Sequence, residues 1–170
     1  MNRSDDILTQ AGWQSAEEGT TPTPFEQFAS RLGFSLQGEL LINPPEGSVG
    51  FDFAVPTAGT EFELRRALYD LFREFFLSDI CYAIDVNHGG WTFSPGKLNL
   101  TSQFEPFPIS VTPWAEYVVF GDGDFSHGAF GNPSNGHLVV FGEAFVRRFS
   151  ALHQDRLVSA QVAATHRRVR

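Results

Sequence analysis

The chain has 170 residues, 42% of them hydrophobic, with 18 Phe, one Cys and a formal net charge of −8. This length suits a single domain whose core is large enough to need neither disulfides nor metal. Cys81 has no partner for an intramolecular disulfide, and the chain shows no signal-peptide core and no run of about 20 apolar residues. We therefore expect a soluble, cytoplasmic protein with no membrane partner and no cofactor.

The charge is divided unevenly along the chain. Residues 1–146 carry 19 acidic and 6 basic side chains, a net charge of −13, whereas residues 147–170 carry 1 acidic and 6 basic side chains, a net charge of +5. An acidic body repels nucleic-acid phosphates and steers basic proteins toward it. The composition predicts no nucleic-acid partner, and it fits either simple solubility or a basic protein partner such as a toxin.

The first part of the chain is predicted to hold an arm and a helix. Residues 1–21 are polar and are expected to form a flexible N-terminal arm, followed by one domain over residues 22–166 and a basic tail over residues 167–170. Thr23-Pro24-Phe25-Glu26 has the form of a capping box, with Pro at the first helical position, and predicts a helix over residues 24–32.

Alternation of apolar residues then predicts strands on either side of a long helix. Residues 49–55 and 80–86 have the period of strands with one buried face. A second capping box at Thr60 predicts a helix over residues 61–77 with a broad apolar stripe. The turn sequence Asn87-His88-Gly89-Gly90 predicts a hairpin from the second strand toward Trp91-Thr92-Phe93.

The last part of the chain is predicted to be a β-meander and a helix. Residues 117–120 and 138–141 are β-branched and aromatic runs next to Asp-Gly and Asn-Gly turns, and a Gly-rich loop is expected over residues 128–136. A final helix is predicted from residue 143 to about 165. The order of elements does not alternate β and α, so we predict an α+β fold with a mainly antiparallel sheet and helices packed on one face.

Two clusters of Asp and His are the candidate sites for catalysis. Asp85 and His88 flank the end of a predicted strand, and Asp124 and His127 lie before another. Such side chains could act in general acid–base catalysis, although turns also recruit Asp and His for hydrogen bonds to the backbone. Adjacent strand residues face opposite sides of a sheet, so we do not expect Ser126 to exchange a proton with His127.

Metal binding and a reactive thiol are not predicted. Asp122-Gly123-Asp124 resembles the start of a calcium loop, but the later ligands and the closing Glu are absent. Cys81 lies within an apolar run and is expected to be a buried, inert thiol. The glycines over residues 128–136 fit either tight packing or a close backbone approach to a ligand or partner.

Several segments resemble an uncharacterised bacterial family, the domain-of-unknown-function family twenty-seven-sixteen. The resemblance covers about residues 24–147 and rests on Ser48-Val49-Gly50-Phe51-Asp52, Tyr82-Ala83-Ile84-Asp85, Gly128-Ala129-Phe130-Gly131-Asn132-Pro133 and Val140-Phe141-Gly142-Glu143. This chain departs from the family pattern at Val86-Asn87, where the family has Trp-Gln, and at Asn132, where it has His. The resemblance implies no established activity.

Two functions remain open from the sequence. The first is a protein-binding, immunity- or antitoxin-like domain, whose contact residues are predicted to be Asp122, Asp124, His127, Gly128, Phe130 and Asn132. The second is a small hydrolase-type enzyme that uses Asp85, His88, Asp124 and His127. The two differ in whether those four side chains share one pocket or are scattered among turns.

Overall fold

The computed structural model describes residues 9–15, 44–53, 58–85, 89–98, 118–132 and 136–160. Within these ranges the chain forms eight strands and two α-helices. The strands are β1 (Gln14–Ser15), β2 (Val49–Asp52), β3 (Cys81–Asp85), β4 (Gly89–Phe93), β5 (Val118–Gly121), β6 (Gly128–Asn132), β7 (His137–Phe141) and β8 (Leu157–Val158). The helices are α1 (Ala58–Phe76) and α2 (Glu143–Leu152). The helix predicted over residues 24–32 lies outside the described residues.

All eight strands belong to one antiparallel sheet with the order β1-β4-β3-β5-β6-β7-β2-β8. The predicted hairpin is the β3–β4 pair, and the predicted meander is β5–β6–β7. The α+β prediction with an antiparallel sheet is therefore confirmed. None of the described helices is long and apolar enough to cross a membrane.

Both helices pack through Phe side chains onto one face of the sheet. Phe72 of α1 lies 5.8 Å from Phe93 and 6.4 Å from Phe120, measured between ring centroids, and meets Phe145 of α2 edge to face at 5.1 Å. Phe149, one turn further along α2, meets the ring of Phe51 at 4.7 Å. The spacing of four between Phe145 and Phe149 places both rings on the sheet side of α2, which is why this short helix is fixed in the core.

The opposite face of the central strands is also apolar and buried. Val119, Phe130 and Val139 stand in register across β5, β6 and β7, and all three are buried. Strands buried on both faces read as continuous apolar runs rather than as strict alternation. This explains why the sequence pattern of the meander is Val-Val-Phe and Leu-Val-Val-Phe.

The prediction of a Gly-rich loop was wrong for residues 128–132, which form strand β6 between β5 and β7. A Cβ on Gly128 would lie 2.5 Å from the Phe141 ring. The glycine therefore makes room for a neighbouring aromatic side chain within the sheet. Its low strand propensity is overridden by pairing on both sides.

The final helix is also shorter than predicted. It ends at Leu152, where His153 leaves the helical conformation at φ −130° and ψ 43°. A 3-10 turn (Gln154–Arg156) and strand β8 follow, and β8 pairs with Gly50 and Phe51 of β2. β8 pairs with the edge of β2 that faces away from β7, and this tertiary pairing ends the helix.

Residues 9–15, assigned from the sequence to a flexible arm, lie against the sheet. Trp13 is buried, with its ring 4.5 Å from that of Phe93, and β1 pairs with β4. The remainder of that arm, the end of the predicted domain and the basic tail lie outside the described residues.

Candidate functional site

The loop from Asp122 to His127 joins β5 to β6 and is organised around a buried carboxylate. Asp122 is 6% exposed. Its carboxylate accepts hydrogen bonds from the Ser126 hydroxyl at 2.8 Å and from the His127 backbone N–H at 3.1 Å. Its own backbone N–H donates to the His127 carbonyl at 3.1 Å. These bonds satisfy a carboxylate that would otherwise be costly to bury.

His127 is fixed by polar contacts at one ring nitrogen and by aromatic contacts at its faces. Its Nδ1 lies 3.0 Å from Ser126 Oγ and 3.3 Å from Asp122 Oδ2. The ring centroid lies 5.9 Å from that of Phe76 on α1 and 5.5 Å from that of Phe145 on α2. The hairpin loop is thus attached to both helices through this imidazole.

The sequence analysis expected no proton exchange between Ser126 and His127 and did not foresee that the two side chains are in contact. The alternation argument applies to regular strands, but both residues precede β6, and Phe125 before them has a positive φ of 55°. That turn brings the Ser126 hydroxyl to the imidazole. Ser126 is the residue of this cluster that sequence reasoning missed, and the available signal was the tight Gly-Asp-Gly-Asp sequence just before it.

The cluster differs from a serine-protease triad. In a triad the serine and the carboxylate contact opposite nitrogens of the imidazole. Here Ser126 and Asp122 both contact Nδ1, and the Ser126 hydroxyl donates to Asp122. This network favours the tautomer with the proton on Nδ1, which leaves Nε2 of His127 as an acceptor or base. The arrangement can therefore hold an oriented imidazole, but it does not activate Ser126 as a nucleophile.

Gly142 allows helix α2 to begin directly against the imidazole. It has a φ of 88°, and a Cβ at this position would lie 2.6 Å from Cδ2 of His127 and 2.7 Å from the carbonyl oxygen of Ser126. Only glycine combines this backbone conformation with so close an approach. The Val-Phe-Gly-Glu segment therefore places the start of α2 beside His127.

The predicted catalytic residues are only partly brought together by what the structure describes. Asp124 is exposed and accepts a hydrogen bond from the Ser126 N–H at 3.1 Å, whereas Asp122 supplies the carboxylate beside His127. Asp85 ends β3, and its side chain lies outside the described residues, as does His88. The convergence of all four residues therefore stays a prediction.

The predicted contact residues occupy different depths. Asp124 is exposed and His127 is partly exposed, whereas Asp122 and Phe130 are buried. Gly128 and Asn132 bound strand β6, and the Asn132 side chain lies outside the described residues. Asp124 and His127 are thus the two whose side chains the structure describes at the surface, and the binding role of all six stays a prediction.

Cys81, the first residue of β3, has a free and buried thiol. Burial, together with the negative charges of Asp122 and Asp79, raises its pKa from 9.0 to about 12. The thiol is therefore protonated at neutral pH and is a poor nucleophile. Among the described residues no group of three or more His, Cys, Asp or Glu side chains is arranged to hold a metal ion.

Comparison with known proteins gives a family but no activity. Residues 18–146 match the family described as protein of unknown function (DUF2716). The chain is also similar to the uncharacterized protein YxiI of Bacillus subtilis (strain 168), with 39% identity over 66 residues. That match covers 39% of this chain and 41% of the Bacillus protein, so it spans about two fifths of each. No solved structure matches the chain.

Proposed function

Because the chain belongs to the DUF2716 family of proteins of unknown function, we propose from its own geometry that it is a protein-binding domain of the immunity or antitoxin kind. The observation that carries the proposal is a group of exposed apolar side chains beside the hairpin loop, flanked by carboxylates. We call this group, Leu77, Asp79, Ile80 and Asp124, the hairpin-end surface.

The apolar part of the hairpin-end surface lies in the turn between α1 and β3. Ile80 is 62% exposed and Leu77 is 50% exposed. The turn is held by the Asp79 N–H, which donates to the Phe76 carbonyl at 3.1 Å, and by the Ser94 hydroxyl, which donates to the Asp79 carbonyl at 2.9 Å. Two neighbouring apolar side chains that are half exposed or more offer apolar area that a partner could bury.

The polar part links this turn to the hairpin loop. A Cβ on Gly123 would lie 3.4 Å from the carbonyl oxygen of Ile80, so the two loops are in contact. Asp79 and Asp124 are both exposed on these loops, and Lys97 is exposed in a small cleft beside Ile80. Together with the −13 charge of residues 1–146, the two carboxylates favour a partner with a basic surface and an apolar centre.

Paired substitutions test the proposal. A partner captured by the wild-type protein from the native host would be purified, and its binding measured with Ile80→Ser, Asp124→Asn and their controls. Ile80→Ser should weaken binding roughly tenfold or more if this side chain fills a pocket of the partner. Leu157→Ser is the matched control, because Leu157 is also exposed but lies on β8, away from the hairpin loop.

The charge variants test whether Asp124 steers the partner during association or contacts it in the complex. Asp124→Asn should slow association more than it speeds dissociation, and binding should weaken with salt because exposed charges are screened beyond about 8 Å at physiological ionic strength. Asp155→Asn removes another exposed charge, in the turn after α2, and should have little effect. Equal effects of Ile80→Ser and Leu157→Ser, or a partner that is neither basic nor salt-sensitive, would contradict the proposal.

A second candidate, the hydrolase-type enzyme, draws support from the Asp122–His127 contact, because an imidazole held at Nδ1 can act as a base through Nε2. Hydrolysis of p-nitrophenyl acetate and p-nitrophenyl phosphate would be measured for His127→Gln and for His137→Gln. His137 also faces a carboxylate, that of Asp52 at 3.7 Å, and so controls for loss of an Asp–His pair. Under this alternative His127→Gln, Asp85→Asn and His88→Ala lose turnover, and His137→Gln retains it.

A further inference from the structure

The hairpin loop and the turn between α1 and β3 contact each other at two places. The His127 ring packs on Phe76, the last residue of α1, with 5.9 Å between the ring centroids. At the other end of the turn, a Cβ on Gly123 would lie 3.4 Å from the carbonyl oxygen of Ile80. The two contacts bracket residues 77–80, which carry most of the exposed side chains of the hairpin-end surface.

The carboxylate of Asp122 organises the loop side of both contacts. It accepts hydrogen bonds from the Ser126 hydroxyl at 2.8 Å and from the His127 backbone N–H at 3.1 Å, and its Oδ2 lies 3.3 Å from Nδ1 of His127. These contacts close the loop on itself and fix the imidazole that packs on Phe76. Hydrogen bonds to a charged group are among the stronger ones, so loss of this carboxylate should loosen the whole loop.

The same network holds the exposed carboxylate of the hairpin-end surface. Asp124 accepts a hydrogen bond from the Ser126 N–H at 3.1 Å, and the Ser126 hydroxyl is itself bound to Asp122. The Phe125 N–H donates to the Asp122 carbonyl at 3.1 Å. Asp124 therefore lies between two bonds that lead back to Asp122. A carboxylate held in this way loses little conformational freedom when it meets a partner.

The turn also has a support that does not involve the hairpin loop. The Ser94 hydroxyl donates to the Asp79 carbonyl at 2.9 Å and so fixes the turn to the chain that follows β4. The ladder between β3 and β5 ends at the pair of Tyr82 and Gly121. Beyond that pair, the turn is joined to the loop by the contacts of His127 and Gly123, and both depend on the fold of the loop around Asp122.

Cys81 lies where openings of this region can be detected. It follows Ile80 as the first residue of β3, and its side chain is buried. The negative charges of Asp122 and Asp79 both raise its pKa, so carboxylates of the loop and of the turn lie within electrostatic reach of the thiol. A reagent reaches a buried thiol only when the surrounding structure opens. The chain has one Cys, so the labelling signal comes from this position alone.

We propose that Asp122 is a positioning residue of the hairpin-end surface. Its hydrogen bonds hold the hairpin loop and the α1–β3 turn as one unit, and this unit places Ile80 and Asp124 for a common partner. Asp122 is 6% exposed, so it acts through its neighbours and not by contact with the partner. The positioning role rests on the protein-binding function proposed above, whereas the coupling of loop and turn is a property of the protein alone.

Labelling of Cys81 with iodoacetamide at low urea tests the coupling without a partner. Ser126→Ala should raise the labelling rate about threefold and Asp122→Ala about tenfold, because the first loses one partly exposed hydrogen bond and the second loses the central acceptor. Ser150→Ala, on α2, should label like the wild type, and Asp79→Asn controls for loss of a charge near the thiol. A wild-type rate in Ser126→Ala, or equal rates in Asp122→Ala and Asp79→Asn, would refute the coupling. Ser126→Ala changes no charge and decides the question if Asp122→Ala does not fold.

The partner captured by the wild-type protein tests the positioning role. Asp122→Ala should weaken binding about tenfold through faster dissociation, whereas Asp124→Asn should mainly slow association. The partner should also slow Cys81 labelling of the wild type, because it binds the closed unit. Faster labelling of Asp122→Ala with unchanged partner affinity would refute the positioning role. In that case a loss of affinity in Ile80→Ser would leave the protein-binding proposal standing, and unchanged affinity in Ile80→Ser would refute that proposal as well.

Discussion

Substitution of Gly142 by Ala tests the packing of α2 against the hairpin loop. Gly142 has a φ of 88°, and an added Cβ would lie 2.6 Å from Cδ2 of His127 and 2.7 Å from the Ser126 carbonyl oxygen. Gly47 offers a matched control, because it has a φ of 78° but no atom within 4 Å of an added Cβ. Both variants place a Cβ on a residue with positive φ, and only Gly142→Ala adds a steric clash.

The expected magnitudes follow from these two effects. A non-glycine residue at positive φ costs about 1 to 3 kcal/mol, and this cost applies to both Gly142→Ala and Gly47→Ala. The clash at Gly142 should add about 1 to 3 kcal/mol, the usual range for overpacking a well-packed site. For a domain of this size, each kcal/mol corresponds to a shift of roughly 2 to 4 °C in Tm.

Urea denaturation of both variants gives the difference in free energy of unfolding, and NMR of the imidazole reports the site. We expect Gly142→Ala to unfold at lower urea than Gly47→Ala and to shift the His127 resonances, while Gly47→Ala leaves them unchanged. Equal midpoints with an undisturbed His127 signal would refute the proposed contact between α2 and the loop.

The other predictions concern the core, the thiol and metal. Phe149→Ala should lower the free energy of unfolding by about 3 to 5 kcal/mol because the ring is fully buried, whereas Phe75→Ala, 37% exposed, should cost much less; similar denaturation midpoints would argue against the α2 packing. Cys81 should resist a thiol reagent until the protein is unfolded, and rapid labelling of the native protein would contradict that expectation. Because the pKa of Cys81 is raised in the folded state, the free energy of unfolding should fall as pH rises from 9.0 toward 12. Chelation with EDTA should leave the Tm unchanged, since a structural metal contributes directly to folding; a large decrease would reveal a missed site.

The elements that the sequence predicted well are those with a strong local period. The helix predicted over residues 61–77 is Ala58–Phe76, and the strand predicted over residues 80–86 is Cys81–Asp85. The apolar stripe of the helix and the alternation of the strand are set by local geometry, so they need no knowledge of distant contacts. Family membership was likewise visible in short segments of sequence.

The candidate site needed the tertiary structure. Asp124 was predicted as the carboxylate near His127, yet Asp122 occupies that position, because the turn at Phe125 folds the loop back on itself. A positive φ at a non-glycine residue has no clear sequence signal. The contact between Ser126 and His127 was missed for the same reason.

What the sequence alone determined is the fold class, the main helix, the paired strands and the acidic character of residues 1–146. What only the tertiary structure decided is the conformation of segments whose local sequence has a weak preference for helix or strand. Gly128–Asn132 becomes a central strand because β5 and β7 pair with it on both sides. Helix α2 ends at Leu152 because the chain that follows pairs, as β8, with the edge of β2.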